Sequence, residues 1–321
     1  MKSLQFELWE QCGSCCSFCY LGDQNKFTPD HIKLYSLRET LKSISDEKKY
    51  TEEKYEVISY LGGEFFQGQL KNPEVREEFF KLMKKTAELL EKGLIKAVWI
   101  YATMTIGNQQ DLFDTIELFK KKDGLWILTS YDTIGRFHTP KMLETWDNTM
   151  KKIHSLCPEI RFNITTILTG DVCQKYVNGE LSFKEMMNTY HCAFFFKQCG
   201  LPSIYKTKKE MNKAIPNFFP KREDFLKFLM KFRQEESEEM WVKLFNIYYR
   251  ADTLYRNHNV DGKQMELNVR DKKKGYEFDP SSGNYVDECG HMKSYKAYVD
   301  SEDCCICDKL IIEEMMEGNA Q

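Results

Sequence analysis

No apolar run in these 321 residues is long enough to cross a bilayer, so the chain is expected to be soluble. No basic leader followed by an apolar core opens it, since it begins MKSLQFELWE, and a cytosolic setting is expected. No excess of either charge stands out: Lys+Arg 46 against Asp+Glu 49 gives a formal net charge of -3. Nothing global therefore argues for nucleic-acid binding. The short basic runs at 120–122, 206–209 and 272–274 read as solvated helix ends or loops. Internal repeats and low-complexity segments are also missing.

What the chain does have is cysteine, 12 in all, gathered largely towards its two ends. In a reducing compartment such a set does not read as a disulfide framework, and the clustering points to metal. Cys157, Cys173, Cys192 and Cys199 stand apart from the clusters and read as core or loop thiols.

Between the clusters the pattern alternates. Leu4, Phe6 and Leu8 at period two read as a first strand, which ends at the cysteines. Thr28-Pro29-Asp30 reads as an N-cap followed by proline at the first helical position, with the helix running to about Ser45. Further strands are expected at 56–61, 97–103, 125–130, 160–168 and 193–196. Helices are expected from Asn72-Pro73 to about Lys92, near 109–122, from Thr139-Pro140 to about Leu156, and near 182–190. Strands alternating with helices at this spacing imply an α/β fold with parallel pairing, either a doubly wound sheet or a barrel. Beyond residue 200 the alternation stops. A helix from about Arg222 to Phe245 carries Phe225, Phe228, Leu229 and Phe232 on one packing stripe, and 250–280 is polar and irregular.

The first cluster reads Cys12-Gly-Ser-Cys15-Cys16-Ser-Phe18-Cys19-Tyr20. Taking Cys12, Cys16 and Cys19 gives C-x3-C-x2-C. Three thiolates from one loop can hold three corners of a cubane cluster and leave the fourth iron open to a small molecule. The other reading, a zinc site built from Cys12, Cys15, Cys16 and Cys19, suffers from the adjacency of Cys15 and Cys16 on one tetrahedral ion. The spacing alone does not decide which of that adjacent pair ligates. The second strand runs directly into Gly62-Gly63-Glu64, where glycine admits close approach and a carboxylate can hold an ammonium.

This combination resembles the radical S-adenosylmethionine (SAM) superfamily, with Phe18 at the aromatic position before the last cysteine and Gly62, Gly63 and Glu64 as the motif for the SAM amino group. The resemblance implies a partial (β/α)6 barrel over 1–200, followed by a helical and irregular extension over 201–321. It implies a 4Fe-4S cluster on Cys12, Cys16 and Cys19 that reduces SAM to a 5'-deoxyadenosyl radical, and that radical abstracts hydrogen from a substrate. It also implies an electron donor such as flavodoxin or ferredoxin. Weaker matches place Ser130, Asp132 and Arg136 at the SAM ribose or carboxylate, while the fifth strand around Asn163 and Thr165 departs from the family's glycine spacing.

Near the C-terminus, Cys289, His291, Cys304 and Cys307 form C-x-H and C-x2-C knuckles that suit zinc. An auxiliary iron-sulfur cluster, drawing on Cys305 as well, is the alternative. A weaker likeness to phage-encoded members suggests a nucleobase or nucleotide in DNA as substrate, and a host cytoplasm as location. A peptide or protein side chain is the other option. Tyr248, Tyr249 and Tyr255 are candidate stacking residues. A reading of a different class is a non-catalytic zinc-binding interaction protein.

Overall fold

The computed structural model describes residues 2–14, 16, 27–107, 109–120, 122–133, 135–198, 222–237, 239, 240 and 244. Along them run β1 (Lys2–Glu7), α1 (Asp30–Ile44), α2 (Lys48–Thr51), β2 (Tyr55–Leu61), α3 (Pro73–Glu91), β3 (Ala97–Tyr101), α4 (Gln110–Phe119) and β4 (Leu125–Ser130). They continue through α5 (Pro140–Leu156), β5 (Arg161–Leu168), α6 (Gly170–Val177), α7 (Phe183–Tyr190), β6 (Cys192–Gln198) and α8 (Arg222–Glu235).

The six strands lie in the order β1-β2-β3-β4-β5-β6, and the pairs from β1 through β5 are parallel. A doubly wound sheet reverses its order at a switch point. This sheet never reverses, and repeated crossovers of one hand keep their helices on one face. The fold is therefore α/β with the strand order of a partial (β/α)6 barrel, which settles the two alternatives that periodicity left open.

Side-chain chemistry explains where the helices begin. The Asn72 side chain accepts the Glu74 and Val75 N–H groups at the head of α3, and Thr139 accepts from Met142 at the head of α5. Both caps are followed by a proline that needs no intrahelical partner for its nitrogen. At α1 the expected register is off by one. Pro29 itself occupies the cap position, with an extended ψ of 146°, and offers no side-chain cap, so Thr28 lies outside the helix. Helix α6 has no counterpart in the hydrophobic pattern, yet Thr169 accepts from Val172 N–H in the usual way.

Register sorts the strand residues onto two faces. Tyr60, Ile100, Ile127 and Phe162 share the helix-covered face and are almost fully buried. The Tyr60 hydroxyl meets Thr86 of α3 at 2.6 Å, and the Trp146 indole of α5 donates to Thr129 of β4 at 3.1 Å. The opposite, inner face carries Gln5, Ser59, Trp99, Trp126 and Arg161 in one row. Tyr101, Leu128 and Asn163 form the next row towards the C-terminal strand ends.

The chain divides into two compact units. The first comprises 1–131, 135–165 and 185–194, and holds β1 to β4 with α1 to α5. The second comprises 132–134, 166–184 and 195–321. In the second unit the expected aromatic stripe of α8 is core: Phe225, Phe228, Leu229 and Phe232 are at most 3% exposed. Rings of Phe228 and Phe232 pack on Tyr176 of α6 at 5.3 and 5.7 Å, and Phe232 also meets Phe183 and Phe196. Burial of each such ring stabilises this unit by roughly 2 kcal/mol.

Candidate functional site

In a parallel β/α fold, functional groups gather at the C-terminal ends of the strands, where the βα loops meet. Here the loops after β1, β2 and β3 interlock. The turn Gly62-Gly63-Glu64 that ends β2 pairs its backbone with the chain leading to Cys12. Gly63 N–H donates to the Trp9 carbonyl at 2.8 Å and Glu64 N–H to the Gln11 carbonyl at 2.9 Å. The Trp9 indole returns a bond to the Glu64 carbonyl at 2.8 Å. A Cβ on Gly63 would lie 2.3 Å from the Glu10 and Gln11 carbonyl oxygens, so only glycine fits. The close approach that glycine permits here is, first of all, that of the cysteine loop's own backbone.

Glu64 is 1% exposed. One of its carboxylate oxygens accepts Phe65 and Phe66 N–H at 2.8 and 3.0 Å, and the other accepts Thr103 N–H from the loop after β3. Three of about four lone-pair positions are thereby used.

Cys12 and Cys16 are reduced thiols, 7% and 6% exposed. Cys15 and Cys19 lie outside the described residues, as do Phe18 and Tyr20. Burial pushes the Cys12 thiol pKa up, and so does the Glu64 carboxylate. Hydrogen bonding from Ser14, whose N–H lies 3.5 Å from Cys12 Sγ, and the Arg136 guanidinium pull it down. Cys12, Glu64 and Arg136 thus share one electrostatic neighbourhood. A buried thiolate in these surroundings needs more positive charge than Arg136 alone provides, and a metal supplies it. The donor set of two buried thiols on one loop therefore fits an iron-sulfur cluster, and it also fits a zinc ion. Among the described residues, no three His, Cys, Asp or Glu side chains converge as a ligand set.

Around Cys12 runs a polar network that motif reading missed. Gln67 Oε1 accepts Gly13 N–H at 2.7 Å, while Gln67 Nε2 donates to Ser14 Oγ at 2.7 Å and Thr103 Oγ1 at 3.0 Å. Ser14 Oγ also meets Thr105 Oγ1 at 3.1 Å, and His138 Nε2 lies 3.1 Å from the Ser14 carbonyl. These partners are 36 to 124 positions apart in sequence, so no local spacing could reveal them.

The remaining candidates fall in different places. Ser130 is half-buried and stands opposite Thr165 in the β4-β5 register. Asp132 belongs to the second unit, is 1% exposed, and accepts Ile167 N–H at 2.8 Å through Oδ1. Cys157 and Cys173 are buried and Cys192 is half-buried, none of them in a disulfide, as their isolation suggests. Lys120 and Lys122 of the first basic run pair with Glu117 and Glu91 on the surface. Cys199, Cys289, His291, Cys304, Cys305 and Cys307 lie outside the described residues, together with Tyr248, Tyr249 and Tyr255 and the basic runs at 206–209 and 272–274.

Two further features bear on what the site can hold. Asn163 Oδ1 and Ser59 Oγ, both on the inner face, are buried without a hydrogen-bond partner. Tyr101 on the same face is 41% exposed. Among the described residues, no helix is long and apolar enough to cross a membrane.

No family model matches the chain, and no curated protein matches it. Among solved structures, one similar chain is the Streptococcus suis SuiB structure bound to S-adenosylmethionine, with 15% sequence identity and a TM-score of 0.41. The match covers 76% of this chain and 53% of that one, so this chain spans about half the length of the structure it resembles.

Proposed function

We propose that this chain is a radical SAM enzyme. The observation that carries the proposal is the backbone lock between Gly63-Glu64 and Trp9-Gln11, which brings a buried carboxylate within electrostatic reach of the Cys12 thiol at the ends of adjacent parallel strands. Cys12, Cys16 and Cys19 would hold a 4Fe-4S cluster, which when bound supplies the electron that cleaves SAM to methionine and a hydrogen-abstracting 5'-deoxyadenosyl radical.

The chain's own residues divide the remaining work. The fourth lone-pair position of Glu64 would take the SAM ammonium, and Gly62 and Gly63 let the turn close on Trp9-Gln11, which positions that carboxylate. Arg136, already within electrostatic reach of Cys12, suits the SAM carboxylate, and Ser130 a ribose hydroxyl. Asp132 acts through the backbone, holding the Ile167 amide at the end of β5. The inner face supports a planar, hydrogen-bonding substrate such as a nucleobase or nucleotide. Leu128 forms a floor in register between Tyr101 and Asn163, an aromatic ring on one side and an unpartnered amide oxygen on the other. The cytosolic setting, the electron donor and a second metal on Cys289, His291, Cys304 and Cys307 belong to the same proposal.

The test is anaerobic reconstitution of the full chain with iron and sulfide, followed by incubation with SAM, reductant and candidate nucleotides. A brown protein is expected, with about four irons lost in the Cys12/Cys16/Cys19 triple alanine variant and 5'-deoxyadenosine formed by the wild type. Tightly held zinc, no colour and no SAM cleavage would establish the interaction-protein reading instead. Zinc or iron left in the triple variant identifies the metal of the C-terminal set.

A further inference from the structure

Gln67 stands where three loops meet, and its chemistry fixes its orientation. Gly13 N–H can only donate, so the amide oxygen must face it at 2.7 Å, and the amide NH2 must face the hydroxyls of Ser14 and Thr103. One half-buried side chain thereby ties the cysteine loop after β1 to the loops after β2 and β3. The Cys12 thiol lies 4.0 Å from the same oxygen and donates to it weakly. That contact ends when the thiol ionises to bind metal, and Gly13 N–H still holds the oxygen in place. Ser14, 1% exposed, is gripped at its Oγ by Gln67 and the two threonines, and its own N–H points at Cys12 Sγ. N–H groups directed at ligating sulfur tune the potential of an iron-sulfur cluster.

We propose that Gln67 is a positioning residue for the metal centre: it shapes the Cys12-Gly13-Ser14 segment before metal arrives and holds the Ser14 N–H on the ligating sulfur afterwards. The inference rests on the assignment of a cluster to the cysteine triad. It predicts that the Gln67 amide governs how fast iron is lost and at what potential the cluster is reduced, although no atom of Gln67 binds iron.

The experiment compares full-length wild type, Gln67→Leu and Gln67→Glu after anaerobic reconstitution. Iron and sulfide per chain, iron release to an excess of chelator, and the midpoint potential from an EPR-monitored redox titration are measured. Leucine keeps the volume and removes every hydrogen bond, so Gln67→Leu should release iron about tenfold faster than wild type. Glutamate keeps the acceptor for Gly13 N–H and can accept from the Ser14 and Thr103 hydroxyls once they rotate. Gln67→Glu should therefore hold iron within about twofold of wild type, while its added negative charge moves the potential to a more negative value. Iron release from Gln67→Leu at the wild-type rate overturns the inference. If Gln67→Leu does not fold, an unchanged potential in Gln67→Glu overturns it, because a remote structural residue would leave the potential unmoved. Wild type that takes up no iron, or a triple cysteine variant that loses none of the wild-type iron, refutes the cluster assignment itself and is recognisable without any Gln67 variant.

Discussion

Gly63→Ala should be among the most damaging single methyl additions to this chain, and the structure says why. Real Cβ atoms essentially never come within 3.0 Å of such neighbours, yet this one would stand 2.3 Å from each of two carbonyl oxygens, those of Glu10 and Gln11, and 2.5 Å from the Gln11 carbonyl carbon. The loop must therefore retreat by at least 0.7 Å, the difference between those limits. Both obstacles are backbone, so no side chain can rotate away. Retreat stretches the Gly63–Trp9 and Glu64–Gln11 hydrogen bonds together. Overpacking costs about 1–3 kcal/mol and each lost hydrogen bond about 1 kcal/mol. A total of roughly 3–5 kcal/mol corresponds to a thermal midpoint lower by about 6–20 °C in a unit of this size. The assay is thermal or urea unfolding of the metal-free protein, with Gly93→Ala as the comparison. Gly93 has a φ of +68° and nothing within 4 Å of the added Cβ, so that variant suffers only the left-handed backbone penalty of about 1 kcal/mol. Equal midpoints for the two alanine variants would refute the claim that the β2 turn and the cysteine loop are in backbone contact.

Asp132→Ala removes the acceptor for the half-buried Ile167 amide and should cost about 1–3 kcal/mol in urea unfolding, whereas Asp132→Asn keeps an acceptor and should cost about 1 kcal/mol or less; similar losses in both would show that the carboxylate charge matters more than the bond. On the alkaline side, burial pushes Cys192 up to about 12 from a reference of 9.0, and pushes Tyr60 and Tyr190 up as well. Because the folded state holds these protons more tightly, their stabilising contribution is complete below about pH 9 and is lost as pH rises towards the folded values, so the urea midpoint should fall from about pH 9 to about pH 11. At pH 8, iodoacetamide should label Cys192 about a thousandfold more slowly in native protein than in urea, and peptide mapping that finds equal rates would contradict its burial.

The sequence made the strands and most helices legible because each sits under a local signal. Alternation marked β1, and Asn72-Pro73 and Thr139-Pro140 marked the heads of α3 and α5. Strand order was not legible, since helix and strand periods are the same in a barrel and in a doubly wound sheet; only the unreversed order of the six strands distinguishes them. Helix α6 escaped, unlike the equally short α7, because it follows β5 directly with only Thr169 between them. At the candidate site, Cys12, Cys16, Gly63 and Glu64 announced themselves by spacing, as local backbone chemistry does. Gln67, Ser14, Thr103 and His138 did not, because what they do depends on three loops converging across many tens of residues. Pro29 shows the reverse error, where a capping pattern was present and the helix began one residue later than it suggested.

The lock between the β2 turn and residues 9–11 also bears on how metal and fold are coupled. In a zinc finger the ligand loop has no structure until the ion organises it, and metal affinity and folding are one equilibrium. Here main-chain hydrogen bonds to a parallel strand already hold the approach to Cys12, and Gln67 holds the residues just beyond it. The first unit accordingly folds on its sheet and helices, and a metal that binds the folded loop adds its binding free energy to a scaffold that already stands without it. A chelator would then strip the centre and leave the scaffold standing, ready to be loaded again.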